Sequence, residues 1–459
     1  MVSSEARSSA LSRRDALRYG AVVAGGALAL THGGHSLAVA AQDAPPITVP
    51  DFQSQVEASD VKLTLWTFVD THARWFQAMA AAYQAQVNPG FQLEVIQTAF
   101  EDHHNKLLVS FQAGGVGAPD LADIEQGRFG AFMKGQPGFI DLTQRLTDGG
   151  YLDQIVPTRQ ALYSIQGKVY GVEHALCPVG LYYRADLYEA LGVAMPFATW
   201  ADWVAATKQL VSENVFGARI DWDLYDMVLR QRGFDTFDAQ GACVADSPEA
   251  IETLEWMLNL RGTEGVAQEV PDGAQAFGTA VDQSTYGAIR DGRFIALAGA
   301  DWYGGFLRDN VSELSGMWKE QFLPAWEAGG ARTSCLGGTG LTVGAASKNQ
   351  DVAWDFLRYA MLTAEGNVQQ YLNINLWPQF KPAWDDGRMK SADPYFGNQV
   401  LGDLYAEIGA EVPAQNQSIN RADFAILRRD KYTRDIFDGK ISPSEALTNL
   451  SNEIREQAQ

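Results

Sequence analysis

From Val61 the chain switches between two hydrophobic periods. Val61, Leu63 and Leu65 alternate with Lys62, Thr64 and Trp66, which predicts a strand over 61–69. Phe76, Met79, Tyr83 and Val87 then recur at helical spacing, Asn88-Pro89-Gly90 marks a turn, and Phe91, Leu93 and Val95 alternate again. A strand, a helical crossover and a second strand predict a β-α-β unit and a parallel sheet. Asn105 to Gln112 reads as a helix stopped by Ala113-Gly114-Gly115, and Asp120 to Glu125 as a third strand.

The middle of the chain predicts short strands over 170–172 and 181–183, flanking His174 to Pro178. Helices follow over 186–191, closed by Gly192, and over 200–212, capped by Thr199. Ser247-Pro248-Glu249 opens another, with proline in its first turn. Val352 to Leu362 is strongly helical, and Ser442-Pro443-Ser444-Glu445 opens the last helix. Strands alternating with helices predict an α/β fold.

The 459 residues suffice for two cored lobes. The net charge of −21 disfavours nucleic acid and anionic lipid as partners. The first 40 residues read as a signal peptide. Arg7, Arg13, Arg14 and Arg18 make a basic start, Gly20 to Leu30 a short apolar run, and Ala38-Val39-Ala40 a small-residue cleavage site. Ser12-Arg13-Arg14-Asp15-Ala16-Leu17 resembles a twin-arginine export signal, with Ala16 where Phe is usual. No Cys follows that run, and no later segment is long and apolar enough to span a bilayer. Residues 41–60, polar and containing proline, read as a flexible arm. Cys177, Cys243 and Cys335 permit one bridge or three free thiols.

Six segments, in order, resemble the extracellular solute-binding proteins of ABC importers, in the maltose- and multiple-sugar-binding group. They are Ala118-Pro119-Asp120-Leu121; Tyr170-Gly171-Val172 with Gly180 to Tyr188; Met195-Pro196 with Thr199 to Trp203; Arg290 to Leu297 with Asp301-Trp302; Gly337 to Gly340 with Ser347-Lys348-Asn349 and Ala353 to Leu357; and Ser442 to Leu447. The resemblance covers about residues 60–455. Arg184 and Ala185 stand where Asn and Lys are usual, and Glu125 where several sugar binders place an aromatic.

The resemblance implies a two-lobed periplasmic-binding-protein fold of type II. Its first lobe would be residues 60–174 plus 338–380, and its second 178–335 plus 385–459. The crossings would lie near His174 to Val179, Cys335 to Gly338, and Pro378 to Pro382. It also implies an exported monomer, in the periplasm or on the cell surface, that captures a mono- or oligosaccharide and docks on ABC permease membrane subunits.

A sugar site needs amides and carboxylates for hydroxyls and aromatic plates for ring faces. Trp66 ends the first strand, where it stacks on ligand or packs under the crossover helix; Asp70 follows on the same loop, to bind hydroxyls or cap the helix. Glu125 ends the third strand, facing the cleft or capping the next segment. His174 lies on the first crossing, as a ligand contact or a satisfied hinge histidine. Asp221-Trp222 joins a carboxylate to a plate, or is a loop around a core Trp. Asp301-Trp302 matches the family segment whose Trp stacks on sugar from the second lobe. Gly338 could bring backbone to the ligand or serve a flexible crossing. Asn416 and Arg421 lie where the last second-lobe loop reaches the cleft, though such an Arg is often a surface charge.

Catalytic motifs are missing: G-x-S-x-G, H-E-x-x-H, a P-loop and G-x-G-x-x-G. No catalytic residue, metal or cofactor is assigned. His103 and His104, beside Glu101 and Asp102, read as a solvated helix face because adjacent histidines point apart. The alternatives are a binder of a polyol, polyamine or phosphorylated polyol, and a secreted carbohydrate-active enzyme.

Overall fold

The computed structural model describes residues 47–50, 52–269 and 283–457. The signal-peptide reading of residues 1–40 lies outside them.

Eight strands form two sheets: β1 (Val61–Thr67), β2 (Phe91–Gln97), β3 (Leu121–Glu125), β4 (Gly171–Glu173), β5 (Val179–Arg184), β6 (Ala296–Ala300), β7 (Trp318–Phe322) and β8 (Thr339–Val343). The first sheet runs β2-β1-β3-β8-β4, and the second β6-β5-β7. Each sheet centres one of two α/β lobes, the type II arrangement. The first three strands pair in parallel, as predicted. β8 then inserts antiparallel to both β3 and β4, which makes the sheet mixed. In the second sheet β5 is antiparallel to both neighbours.

The helices that matter for the site are α1 (Asp70–Gln86), α2 (Phe100–Gln112), α3 (Gln126–Phe132), α4 (Trp222–Gln231), α5 (Asp301–Asn310), α6 (Gln350–Met361), α7 (Ala364–Ile374) and α8 (Arg421–Leu427). Local chemistry explains most of them. In β1, Leu63, Leu65 and Thr67 are buried and Lys62 is exposed, the two-residue period of a half-covered strand. In α1, Phe76, Met79 and Tyr83 lie buried on one face. The helix predicted over 200–212 closes earlier, as Trp200–Thr207, with a capping box between Thr199 and Asp202. Its C-terminal end tightens into bonds from Gln209 N to Ala206 O and Leu210 N to Thr207 O.

Three segments lie side by side between the sheets. Leu176 N donates to Trp377 O at 2.8 Å, Ala175 bridges Pro378, and Pro178 bridges Cys335. Buried Arg159 ties two of them, donating to Ala175 O at 3.1 Å and to Gly337 O at 2.9 Å. It pairs with buried Glu173 at 3.3 Å, and Glu173 accepts Thr339 N at 2.9 Å. Gly338, with φ +137°, is required here. A Cβ would lie 2.3 Å from the Arg159 guanidinium and 2.6 Å from the Glu173 carboxylate.

Residues 47–60 are not a free arm in their described part. Ser54 Oγ and Gln55 N donate to the buried Asp355 carboxylate at 2.9 and 2.8 Å, and Gln53 O accepts from Arg358. Phe52 packs edge-on against Tyr359 at 5.1 Å. One aromatic ring and a buried acceptor suffice to dock a segment whose composition reads as a tether. The three cysteines are free and buried.

Candidate functional site

The lobes meet where β3 passes into α3. Gln126 N donates to Gly338 O at 3.0 Å, which fixes the side chain at the seam. Its Oε1 accepts from Gln415 Nε2 at 2.7 Å and from Gln417 Nε2 at 3.3 Å, both in the segment leading into α8. That segment alternates. Gln415 and Gln417 face Gln126, while Asn416 faces back, its N donating to Asp235 at 2.9 Å and its Nδ2 to Phe237 O at 2.7 Å. Arg421 donates to Asp235 at 3.2 Å and lies over the Phe237 ring at 5.1 Å.

Several buried polar atoms at this seam have no hydrogen-bond partner among the described residues: Oε1 of Gln415, Oε1 of Gln417 and Nε of Arg421. Each such group costs about 1–3 kcal/mol. An amide oxygen accepts and a guanidinium N–H donates, the two roles that a hydroxyl can complement. Gln415 and Gln417 were not among the candidates read from the sequence. Their signal was the two-residue alternation around Asn416, whose phase the sequence does not set.

The remaining candidates scatter. Trp66 is half-buried against the cluster around Leu107, Ala122 and Phe129. Asp70 is exposed and pairs with Arg74 at 3.1 Å. Glu125 caps α3, accepting Gly127 N at 2.8 Å, and Asp221 caps α4, accepting Leu224 N at 2.8 Å. Trp222 is core, donating to Thr433 Oγ1 at 2.8 Å beneath the Arg428 guanidinium. Buried Asp301 accepts Trp302 N at 2.9 Å and Trp377 N at 2.5 Å. Trp302 is half-buried, and its Nε1 donates to Leu336 O at 3.2 Å beside Gly337. Glu125, Trp302, Gly338 and Arg421 thus border the seam, and the others serve the lobes.

The histidines read as a solvated face are buried. His103 Nε2 lies 2.7 Å from Asp123 O. His104 Nδ1 donates to Phe100 O at 2.8 Å and its Nε2 accepts Glu125 N at 3.2 Å, the pattern of a neutral ring. Burial, and then His103, hold His104 well below the ordinary imidazole range. Both rings therefore buttress the end of β3 instead of facing water, because α2 sets them against the last residues of that central strand.

A second cluster could be taken for a metal site. The ligand atoms of His72, Asp123 and His174 lie within 4.8 Å of one another. However, the two rings stack at 4.4 Å with 28° between their planes. Near-parallel rings do not converge on one ion about 2.1 Å from each nitrogen. Hydrogen bonds account for the cluster instead. Asp123 takes His72 Nδ1 at 3.0 Å, Thr67 Oγ1 at 2.7 Å and His174 Nε2 at 2.9 Å. The other ring nitrogen of His174 faces Gln370 Oε1 at 3.3 Å, so His174 is fully engaged. Burial would raise the Asp123 carboxyl, but His174 and His72 hold it well below the usual carboxylate range.

Two carboxyls move the other way. Burial pushes Glu125 up to about 7 against the pull of Arg128 and the Gly127 N–H. Burial pushes Asp301 up to about 8 against its two N–H donors.

A family model, that of bacterial extracellular solute-binding proteins, matches residues 70–367. The chain is 28% identical over 410 residues to a Halalkalibacterium halodurans protein named arabinooligosaccharide-binding protein, covering 87% of this chain and 90% of that one. It is 25% identical over 424 residues to a Bacillus subtilis protein of the same name, covering 88% and 94%. Its fold matches the GacH receptor of Streptomyces glaucescens with a TM-score of 0.70 at 18% identity, covering 86% of this chain and 97% of that one. It also matches an ABC transporter associated binding protein from B. animalis subsp. lactis, solved with β-1,6-galactobiose, with a TM-score of 0.71 at 19% identity, covering 86% and 98%. A match spanning well over half of the chain places this protein in the bacterial extracellular solute-binding protein family.

Proposed function

We propose that this protein captures a neutral oligosaccharide between its lobes and delivers it, unaltered, to the membrane permease of an ABC importer. One observation carries the reading: two amide oxygens and a guanidinium N–H are buried without partners where the lobes meet. Hydroxyls both donate and accept, so a sugar satisfies all three groups. The names of the two relatives that span most of the chain support an arabinose-containing oligomer. Gln126 and Glu125 contribute from the first lobe, Gln415, Gln417, Arg421 and Trp302 from the second, and Gly338 from the crossing.

In this reading the lobes divide at residues 60–174 plus 338–380 and 178–335 plus 385–459. The packing of α6 and α7 on α1 supports assigning both helices to the first lobe. The protein acts outside the cytoplasm as a monomer, after removal of residues 1–40. Substrate selects closure only through tighter binding to the closed state.

The test is a thermal-shift and calorimetric screen of arabino-oligosaccharides, other disaccharides, polyols and polyamines, since a ligand bound only by the folded state raises the melting temperature. Stabilisation by an oligosaccharide, with no new reducing ends on incubation, is the expected result. Stabilisation by polyamines alone, or hydrolysis of the sugar, would refute the reading.

A further inference from the structure

At one glycine the two lobes leave no room for a side chain. Gly130 lies on α3 of the first lobe, against residues 418 and 419 of the second. A Cβ added to Gly130 would stand 2.2 Å from Ser418 O and 2.9 Å from Ile419 Cα. Both atoms are backbone, so neither yields by a rotamer change. The stop is rigid behind them as well: Ser418 Oγ donates to Gly241 O at 2.8 Å, which anchors the loop to the body of the second lobe.

The same face of the first lobe carries two more links. One turn on, Lys134 Nζ meets Asp423 Oδ2 of α8 at 2.5 Å. At the start of α3, Gln126 receives the amides of Gln415 and Gln417. Gly130 sits between these polar links, at the point of backbone contact. Nothing in the helix itself calls for glycine there: it falls within Gln126–Phe132, where alanine is the better helix former.

We propose that Gly130 is the closure stop of this protein: its missing side chain lets α3 seat on the 418–419 backbone, so the residue at this position sets the equilibrium between open and closed lobes. The inference rests on the two-lobed capture reading. It concerns a residue with no polar group to offer a ligand. Apparent affinity scales with the fraction of molecules able to close. A methyl group at position 130 therefore weakens binding without touching the ligand.

Cross-linking reads closure on the protein alone. A carbodiimide joins Lys134 to Asp423 as an amide only while the two are in contact, and peptide mass spectrometry quantifies the product. We expect the cross-link in the unaltered protein. Its yield should fall at least about tenfold in Gly130→Val and by a smaller factor in Gly130→Ala. Gly287→Ala, a helical glycine with open space around its Cβ position, is the control and should match the unaltered protein. Thermal melts of all variants report whether the fold survives, and Gly130→Ala carries the test if Gly130→Val does not fold. Equal yields in the Gly130 variants and the unaltered protein, or no Lys134–Asp423 product in any of them, overturn the proposal. Failure of arabinotriose to bind the unaltered protein while the cross-link behaves as expected counts against the ligand reading alone.

Discussion

Gln415 donates its side-chain amide to Gln126, 289 positions earlier in the chain, across 2.7 Å. In the two-lobed capture proposed above, this contact exists only while the lobes are together, so its energy belongs to closure. Gln126→Ala and Gln415→Ala should each weaken oligosaccharide binding by about 1–2 kcal/mol, and the double variant should show less than the sum. Asn416→Ala is the contrast, because its amide is spent on Phe237 O within one lobe. It should lower the melting temperature more than the affinity. Isothermal calorimetry with melting curves separates the two effects, and an Asn416→Ala variant that loses affinity at unchanged stability would reverse the assignment.

Trp302 offers an aromatic plate beside Gly337, anchored by its bond to Leu336 O. Trp302→Phe keeps a plate and loses the anchor. Trp302→Ala loses both and should reduce affinity by about tenfold or more while the lobes still fold. Affinity unchanged in Trp302→Ala would remove this side chain from the site.

Arg159 and Glu173 form a buried pair between the crossing segments. Glu173→Ala leaves a buried guanidinium with its carboxylate removed, and should cost about 3–5 kcal/mol in urea unfolding. Glu173→Gln keeps one acceptor oxygen for Thr339 N and should cost less. Gly338→Ala should be as harmful as Glu173→Ala, because its Cβ strikes both members of the pair.

Glu125 gives a pH dependence of definite sign. Its folded-state value is raised, to about 7 from an ordinary 4.5, chiefly by burial. A raised carboxyl favours the protonated native state. Its contribution is therefore full below the unfolded value and is lost as pH rises towards about 7, by at most about 3 kcal/mol. Glu125→Gln removes the titration, so the difference in urea midpoint between variant and parent should grow in the variant's favour from pH 4.5 to 7. Parallel profiles across that window would show that the carboxyl does not titrate there.

Asp355 collects Ser54, Gln55, Tyr83 and Arg358 around one buried carboxylate. Asp355→Ala should destabilise the first lobe by about 3–5 kcal/mol. It should also open residues 52–58 to proteolysis, visible as a new cleavage before any global unfolding. Cleavage at the same rate in both proteins would show that the segment is held by Phe52 packing instead.

Sequence periodicity determined the local elements. The β1-α1-β2 unit, the cap at Thr199 and the proline-opened helix at Pro248 each follow from residues within a few positions of one another. Short-range sterics and hydrogen bonding decide such features. Tertiary structure alone decided where β8 goes: residues 339–343 insert between β3 and β4, more than 160 positions upstream, and reverse the sheet's direction there.

The candidate site divides the same way. A carboxylate before a helix is a cap by local geometry: at Glu125 capping was legible as one of two readings, whereas the cap at Asp221 emerged only in the structure. Whether a polar side chain faces a seam or a core depends on a one-residue phase. Asp235 and Phe237 set that phase for Asn416, and the end of β3 set the burial of His103 and His104. Those partners are distant in sequence. The type of each residue is written in the chain, but which of its polar atoms remain free for a ligand is settled only when the rest of the fold has taken its share.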